Sequence, residues 1–385
     1  MVMTHRDRFL AVLSGEKPDR PLMDLGGRVA SLSTPAYLSL KAHLGFGNQL
    51  CEETRTMLNT IGRFDERILT YFDIPFRRVY LRPAAGFSLQ YSEDGSFKDE
   101  WGVGYRPMGP YNERVGHPLA SAGLKDLDDY NWPDPCDPGR VQGLVEEARE
   151  LFENGYCVIA GHISAGIFQD CWNLRGMARF LEDMALDPPF AEALLKRVTL
   201  IHIGMWERFL DAVGLYVDIV ETADDLGGQT GPLISPKMYR QMIKPCHAAL
   251  NTAIRSHTQA HILYHSCGAI MPLIEDLVEI GVDILNPIQP LPGMEPELLR
   301  RRYGDRLMFH GGLDVQSLLL NGTSDEIRSH IWRYYNVFGP QHYIMAPANT
   351  VQPGTPPENL VTAYRAARDF EGRLGSTANN LTLYL

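Results

Sequence analysis

The residue pattern with the clearest chemistry is His265-Ser266-Cys267, which closes a short apolar run. In an extended segment residues two apart point the same way, so one imidazole and one thiolate converge from a single strand end. That pair is a good first half of a zinc site. Glu221, at the end of the sequence-adjacent apolar run, adds an oxygen ligand if the two strands are neighbours. A fourth donor is missing from the pattern. Zinc held by few protein ligands keeps a coordination position open, which is what a substrate thiol needs if it is to be bound and deprotonated. The competing reading makes Cys267 a small buried apolar side chain and His265 a hydrogen-bonded core histidine.

Weaker candidates surround this one. Asp224 and Asp225 form an acidic cluster with Glu221, suited either to general-base or ligand duty or to capping the amides of their own loop. Arg28, behind Gly26-Gly27, can hold a substrate carboxylate bidentately or act as a loop clasp. His162 and His310 also follow apolar runs, where each either faces a site or satisfies a loop carbonyl. Cys51, Cys136, Cys157, Cys171 and Cys246 read as ordinary thiols. No GxxxxGK[ST], HExxH or GxSxG is present, and Gly161-His162-Ile163-Ser164-Ala165-Gly166 has the wrong spacing for a nucleophile elbow. The lack of a strand-linked GxGxxG argues against a dinucleotide enzyme.

These residues need a frame that brings strand ends together. Eight short apolar runs recur along the chain: Pro21 to Leu25, Arg78 to Leu81, Cys157 to Gly161, Val217 to Glu221, His261 to His265, Val282 to Asn286, Leu307 to Gly311 and Tyr343 to Ala346. Most are separated by helical stretches, including Pro138 to Asn154, Pro188 to Val213, Ser235 to His257, Gly268 to Ile280, Ser324 to Phe338 and Pro356 to Leu374. First-turn prolines and terminating glycines mark several of these helices. Eight is the number that closes a parallel (β/α)8 TIM barrel, whose reactive groups sit at the carboxyl ends of its strands. Between the second and third runs, Phe87 to Tyr105 alternates around Asp94-Gly95, which predicts an inserted β-hairpin over one rim. The Pro-, Gly- and Asp-rich stretch from 107 to 138 reads as an irregular connection and not as a domain boundary. The expected organisation is a single domain over 1–375 with a C-terminal tail over 376–385.

Composition agrees with a soluble globular protein. A chain of 385 residues with 44% hydrophobic and 22% charged side chains builds a sizeable core. A net charge of −11 makes nucleic acid and anionic membrane surfaces poor partners, and no run of about 18 apolar residues exists to span a bilayer. The N-terminus places Arg6, Asp7 and Arg8 before a short apolar run, as in an amphipathic helix rather than a signal peptide. Six scattered cysteines without a CxxC pair suit a reducing cytoplasm.

Taken together, several motifs resemble the uroporphyrinogen decarboxylase superfamily. They are Arg6 to Pro21, Asp99-Glu100-Trp101-Gly102, Trp132-Pro133-Asp134-Pro135, Asp225-Leu226-Gly227-Gly228-Gln229, Ser235-Pro236, His265 to Gly268, Gly281 to Pro287 and Pro353 to Asn359. The resemblance covers nearly the whole chain and implies a (β/α)8 barrel. It implies one of two activities: decarboxylation of tetrapyrrole acetates, or zinc- and cobalamin-dependent methyl transfer. Two departures bear on the choice. The decarboxylases carry RQAGR after the first strand, whereas this chain has Asp24-Leu25-Gly26-Gly27-Arg28, so a cation is lost and only Arg28 remains. The methyltransferases add a cysteine after the last strand, where alignment on the PGTP turn puts Asn349, so zinc at His265 and Cys267 would recruit Glu221 or another oxygen donor.

The resemblance therefore implies a methyltransferase moving a methyl group between a corrinoid, free or on a corrinoid protein, and a small thiol or methylated substrate. Arg28, Glu221 and Asp225 are its candidate catalytic residues, and His162, Gln229, His310 and Asn349 its candidate cofactor contacts. A carboxy-lyase using Arg28 without metal and a non-catalytic docking subunit are the alternatives. A homodimer is compatible with the resemblance, although no sequence feature proves one.

Overall fold

The computed structural model describes residues 3–50 and 56–374, so Cys51 and the 376–385 tail lie outside the described residues. In chain order the strands are β1 (Leu22–Met23), β2 (Phe76–Val79), β3 (Phe97–Lys98), β4 (Gly104–Met108), β5 (Tyr111–Gly116), β6 (Cys157–Ala160), β7 (Ile219–Ala223), β8 (His261–His265), β9 (Ile284–Ile288), β10 (Met308–Leu313) and β11 (Tyr343–Pro347). Every one of the eight apolar runs overlaps a strand, with bounds that differ by two residues at β2, β7 and β9. The contacts divide the chain into two compact units, one of Met1–Phe76, Gly155–Cys157 and Ile284–Leu385, the other of Arg77–Asn154 and Val158–Asp283.

In the first unit the strands lie in the order β1-β11-β10-β9, with β10 parallel to both neighbours and β1 parallel to β11. Every residue of β9, β10 and β11 is buried. Parallel strands covered on both faces need continuous apolar runs, which is why these segments were readable as such. The amino-terminal helix His5–Leu13 starts on a capping box between Thr4 and Asp7. Helix Ser324–Phe338 uses the same device, with Thr323 and Glu326, and buries Ile327, Ile331, Tyr334, Tyr335 and Phe338 along one face.

In the second unit the order is β8-β7-β6-β2, with β6, β7 and β8 parallel. Its longest helix, Pro188–Val213, begins with the Asp187 side chain accepting the Phe190 N–H and with proline in its first turn. The stretch expected as one helix from Pro138 divides into a 3-10 turn, Pro138–Val141, and a helix, Leu144–Glu153. The left-handed backbone of Gly143 (φ 72°) parts them. The stretch from Ser235 is interrupted likewise by a π-helical turn at Tyr239–Ile243.

The interval between β2 and β6 differs from the expected hairpin. A tight turn does form at Asp94–Gly95, closed by the Ser92 N–H to Ser96 carbonyl bond, but no strand precedes it. The antiparallel pairing is instead β3 with β4 and β4 with β5, turning at Gly109-Pro110. Stacked Phe97 and Tyr105 rings, 5.1 Å apart, bind the first of these pairs.

Candidate active site

Within the second unit, β7 and β8 run in register with Glu221 beside Leu263 and Ala223 beside His265. The loop leaving β7 and the turn leaving β8 then pack glycine against glycine. A side chain on Gly268, whose φ is +92°, would meet the Gly227 carbonyl carbon at 2.4 Å, and one on Gly227 would meet the Cys267 carbonyl oxygen at 2.8 Å. Ser266 is fully buried and its Oγ accepts the Leu226 N–H at 2.9 Å, so the serine faces the neighbouring loop while His265 and Cys267 flank it. The Gly228 carbonyl takes the Ala269 N–H at 2.8 Å. Only glycines permit this approach, which accounts for both Gly227-Gly228 and Gly268.

The packing brings three donor atoms together. Cys267 Sγ lies 3.4 Å from His265 Nε2, and His265 Nε2 lies 3.7 Å from Asp225 Oδ1. Asp225 is fixed by the Cys267 N–H, which donates to Oδ1 at 2.8 Å. Among the described residues these three form the one cluster of histidine, cysteine and carboxylate groups whose atoms all fall within 4.8 Å of one another. Tetrahedral ligands at zinc-like bond lengths of about 2.0–2.3 Å are separated by about 3.3–3.6 Å, so the donor set fits such an ion in type and spacing. Burial, reinforced by the Asp225 carboxylate, pushes the Cys267 thiol well above its ordinary range. A cation among the three donors acts in the opposite sense and favours the thiolate.

Glu221 is not the carboxylate of this cluster. It lies four residues before Asp225, within β7 and fully buried, where Arg78 Nε donates to its Oε2 at 3.0 Å and His162 Nδ1 approaches its Oε1 at 2.7 Å. Burial alone would raise the Glu221 carboxyl, but the Arg78 guanidinium and the His162 contact outweigh it and hold the group down at about 2. Asp224 separates from both: it takes the Phe168 and Gln169 N–H groups at 2.6 and 2.7 Å, capping the helix Ile167–Arg175, and contacts His247 Nε2 at 2.9 Å. The acidic cluster of the sequence thus divides into a helix cap, an ion pair and a candidate ligand.

The other candidates fall as follows. Gln229 is exposed in the β7 exit loop. In the first unit, Arg28 is half-buried, and Asn349 turns its Oδ1 onto the Thr350 N–H at 2.6 Å. His310 is buried, with Nε2 2.9 Å from Asp24 Oδ2 and Nδ1 2.5 Å from Asn286 Nδ2, so both ring nitrogens are engaged inside the unit. Asp24 is completely buried beside it.

Sequence reasoning missed Arg78, although the Arg77-Arg78 pair at the head of an apolar run was the available signal. It also missed the partners of Ser164, which donates to Asp170 and lies 3.2 Å from His202 Nε2, itself 2.9 Å from Asp170. Serine and carboxylate meet the same ring nitrogen there, so this is a loop anchor and not a nucleophile relay.

Comparison with known proteins defines the class. A family model described as uroporphyrinogen decarboxylase (URO-D) matches residues 113–370, two thirds of the chain, and the chain belongs to that family. No curated protein matches it. A solved methyltransferase from Methanosarcina mazei has the same fold, with a TM-score of 0.62 over 96% of this chain and 99% of that one, at 18% identity. A B12-independent methionine synthase from Shewanella sp. W3-18-1 aligns over 91% of this chain and 98% of its own, at 12% identity and a TM-score of 0.45.

Proposed function

We propose that this chain is a zinc-dependent methyltransferase of the URO-D family. It exchanges a methyl group between a corrinoid, free or on a partner protein, and a small thiol or methylated substrate. The observation that carries the reading is the convergence of Asp225, His265 and Cys267 at the carboxyl ends of two adjacent strands. In this reading Asp225 is the oxygen donor recruited where the family's second cysteine is missing. Bound zinc would supply Lewis acidity toward a thiol or toward the heteroatom of a methyl donor.

A decarboxylase-type carboxy-lyase needs cations to neutralise several substrate carboxylates. The buried Asp24–His310 pair at the position of the lost arginine weighs against it.

Metal analysis of the purified protein tests the proposal, with near-stoichiometric zinc expected in the wild type and little in Cys267→Ser. Methylcobalamin absorbance followed with a panel of thiols and methylated donors tests the transfer. Full zinc retention by Cys267→Ser, or CO2 release from a carboxylated tetrapyrrole by metal-free enzyme, overturns the reading.

A further inference from the structure

Where the ladder between β7 and β8 reaches the metal-ligand cluster, two side chains enter it. The His261 N–H donates to the Asp218 carbonyl and the Asp224 N–H to the His265 carbonyl, both at 2.9 Å, so odd-numbered residues of β8 bridge even-numbered residues of β7. One further step of that pattern would send the Cys267 N–H to the Asp224 carbonyl and the Leu226 N–H to the Cys267 carbonyl. Both donors instead meet side-chain oxygens. The Cys267 N–H reaches Asp225 Oδ1 at 2.8 Å, and the Leu226 N–H reaches Ser266 Oγ at 2.9 Å. Backbone pairing is found again just beyond them, from the Ala269 N–H to the Gly228 carbonyl.

Ser266 and Leu226 are both fully buried, so the Leu226 N–H has no bulk water to take the place of this hydroxyl. The same Oγ donates to the Cys267 carbonyl at 3.4 Å, so it accepts from the β7 exit loop and donates within its own turn. Asp225 is thereby held from both sides. Asp224 is bonded to His265, which bears one candidate ligand, and Leu226 is bonded to Ser266, which stands between the two. A link through one oxygen atom thus fixes the loop from which the Asp225 carboxylate reaches to 3.7 Å from His265 Nε2.

Resting on the zinc reading above, we propose that Ser266 is the positioning residue of the metal site, and that its hydroxyl sets Asp225 as the oxygen ligand beside His265 and Cys267. The serine itself neither binds the ion nor exchanges a proton; it acts through the Leu226 amide. His265 and Cys267 leave one strand end two residues apart, and that spacing belongs to their own segment. The carboxylate comes from a different element, and its distance to them is what the hydroxyl holds. Removing the hydroxyl therefore weakens the oxygen ligand and spares the imidazole and the thiolate, a selective change that general loosening of the fold does not produce.

Cobalt(II), which substitutes for zinc and reports its ligands by absorption, is the probe, with turnover left out. Wild type loaded with Co2+ is expected to show a thiolate-to-cobalt charge-transfer band and tetrahedral d–d bands. Ser266→Ala is expected to keep the charge-transfer band and to shift the d–d bands in the direction that Asp225→Asn shifts them. Its zinc affinity, read by chelator competition, is expected to fall about 10–100-fold. On the Asp225→Asn background the same substitution is expected to add no further loss, because the ligand it acts through is already gone. Additive losses, or a Ser266→Ala spectrum identical with that of wild type, overturn the inference alone. A wild type without the charge-transfer band overturns the zinc reading and this inference with it. A measurement on the unaltered chain covers a variant that does not fold: with 15N-leucine labelling, the Leu226 amide is expected to exchange into D2O as slowly as that of Leu263 in β8. Exchange at the rate of an open loop overturns the inference whatever the variants do.

Discussion

At the scale of single residues, Glu221 of β7 and Asp225 of its exit loop divide their tasks by depth. Asp225 is partly exposed beside His265 and Cys267, while Glu221 is sealed under Arg78 and His162. Asp225→Asn should therefore weaken zinc binding by more than the ~10–100-fold that loss of an outer partner costs, whereas Glu221→Gln should leave zinc stoichiometry intact; competition with a chelator reads both. Arg78→Met removes the guanidinium that pairs with Glu221 and leaves a fully buried carboxylate with His162 beside it. It should lower stability by about 3–5 kcal/mol, seen as a reduced midpoint in denaturant unfolding. The imidazole-thiolate pair was legible in the sequence because period-two alternation is a property of one strand. Its oxygen partner was not legible, because choosing between residues 221 and 225 needs the register of β7 against β8, which no single segment encodes.

Elements show the same division. The eight parallel strands announced themselves as short apolar runs and several helices through first-turn proline or terminal glycine, and Pro188–Val213 and Ser324–Phe338 begin and end where expected. The antiparallel insertion was legible in its place along the chain but not in its pairing. Its β4 and β5 expose Arg106, Pro107, Met108, Glu113 and Val115, so their sequence lacks the apolar alternation that marks a half-buried strand. The turn Asp94-Gly95 was recognised, but a turn alone does not supply the partner strand. The loop leaving β7 and the turn leaving β8 depend on glycine in a way that can be measured. Gly268→Ala places a methyl group against Gly227 backbone atoms from a left-handed conformation that alanine resists. The turn must shift to admit it, separating Cys267 from Asp225, so the variant should lose most of its zinc and unfold at lower denaturant. Retention of wild-type zinc would show that the glycine contact does not set the ligand geometry.

For the molecule as a whole, the charged groups that fold into paired positions set the response to acid. No helix among the described residues is long and apolar enough to cross a membrane, and the net charge of −11 is spread over many carboxylates. Several of these are held low by partners in the folded chain: Asp65 by Arg67 and Lys41, Asp276 by Arg240 and Lys244, Glu297 by Arg333, and Glu221, the most deeply buried, by Arg78 and His162. A carboxyl lowered on folding stabilises the native state above its ordinary value and loses that contribution as pH falls through its folded value. For Glu221 the window runs from 4.5 down to about 2, and the contribution at neutral pH is roughly 3 kcal/mol. Asp99 has the opposite sign: burial, with added repulsion from Asp170, raises it to about 6, so its cost is felt above that pH and is fully relieved below 3.8. Burial lowers His330 and His342, and their contribution is lost as pH falls below 6.5 through their depressed folded values. The Asp99 and histidine effects oppose each other between pH 7 and pH 4.5. Below 4.5 the lowered carboxylates dominate and stability should fall steeply. Midpoints of thermal unfolding at pH 7, 5, 4 and 3 check this: a small change is expected from 7 to 5 and a large drop from 4 to 3. Because Glu221→Gln removes a fully buried carboxylate that is held low, its midpoint should start lower at pH 7 and fall less between 4 and 3. Parallel curves for the variant and the wild type would show that the Arg78–Glu221–His162 cluster carries no share of the acid response.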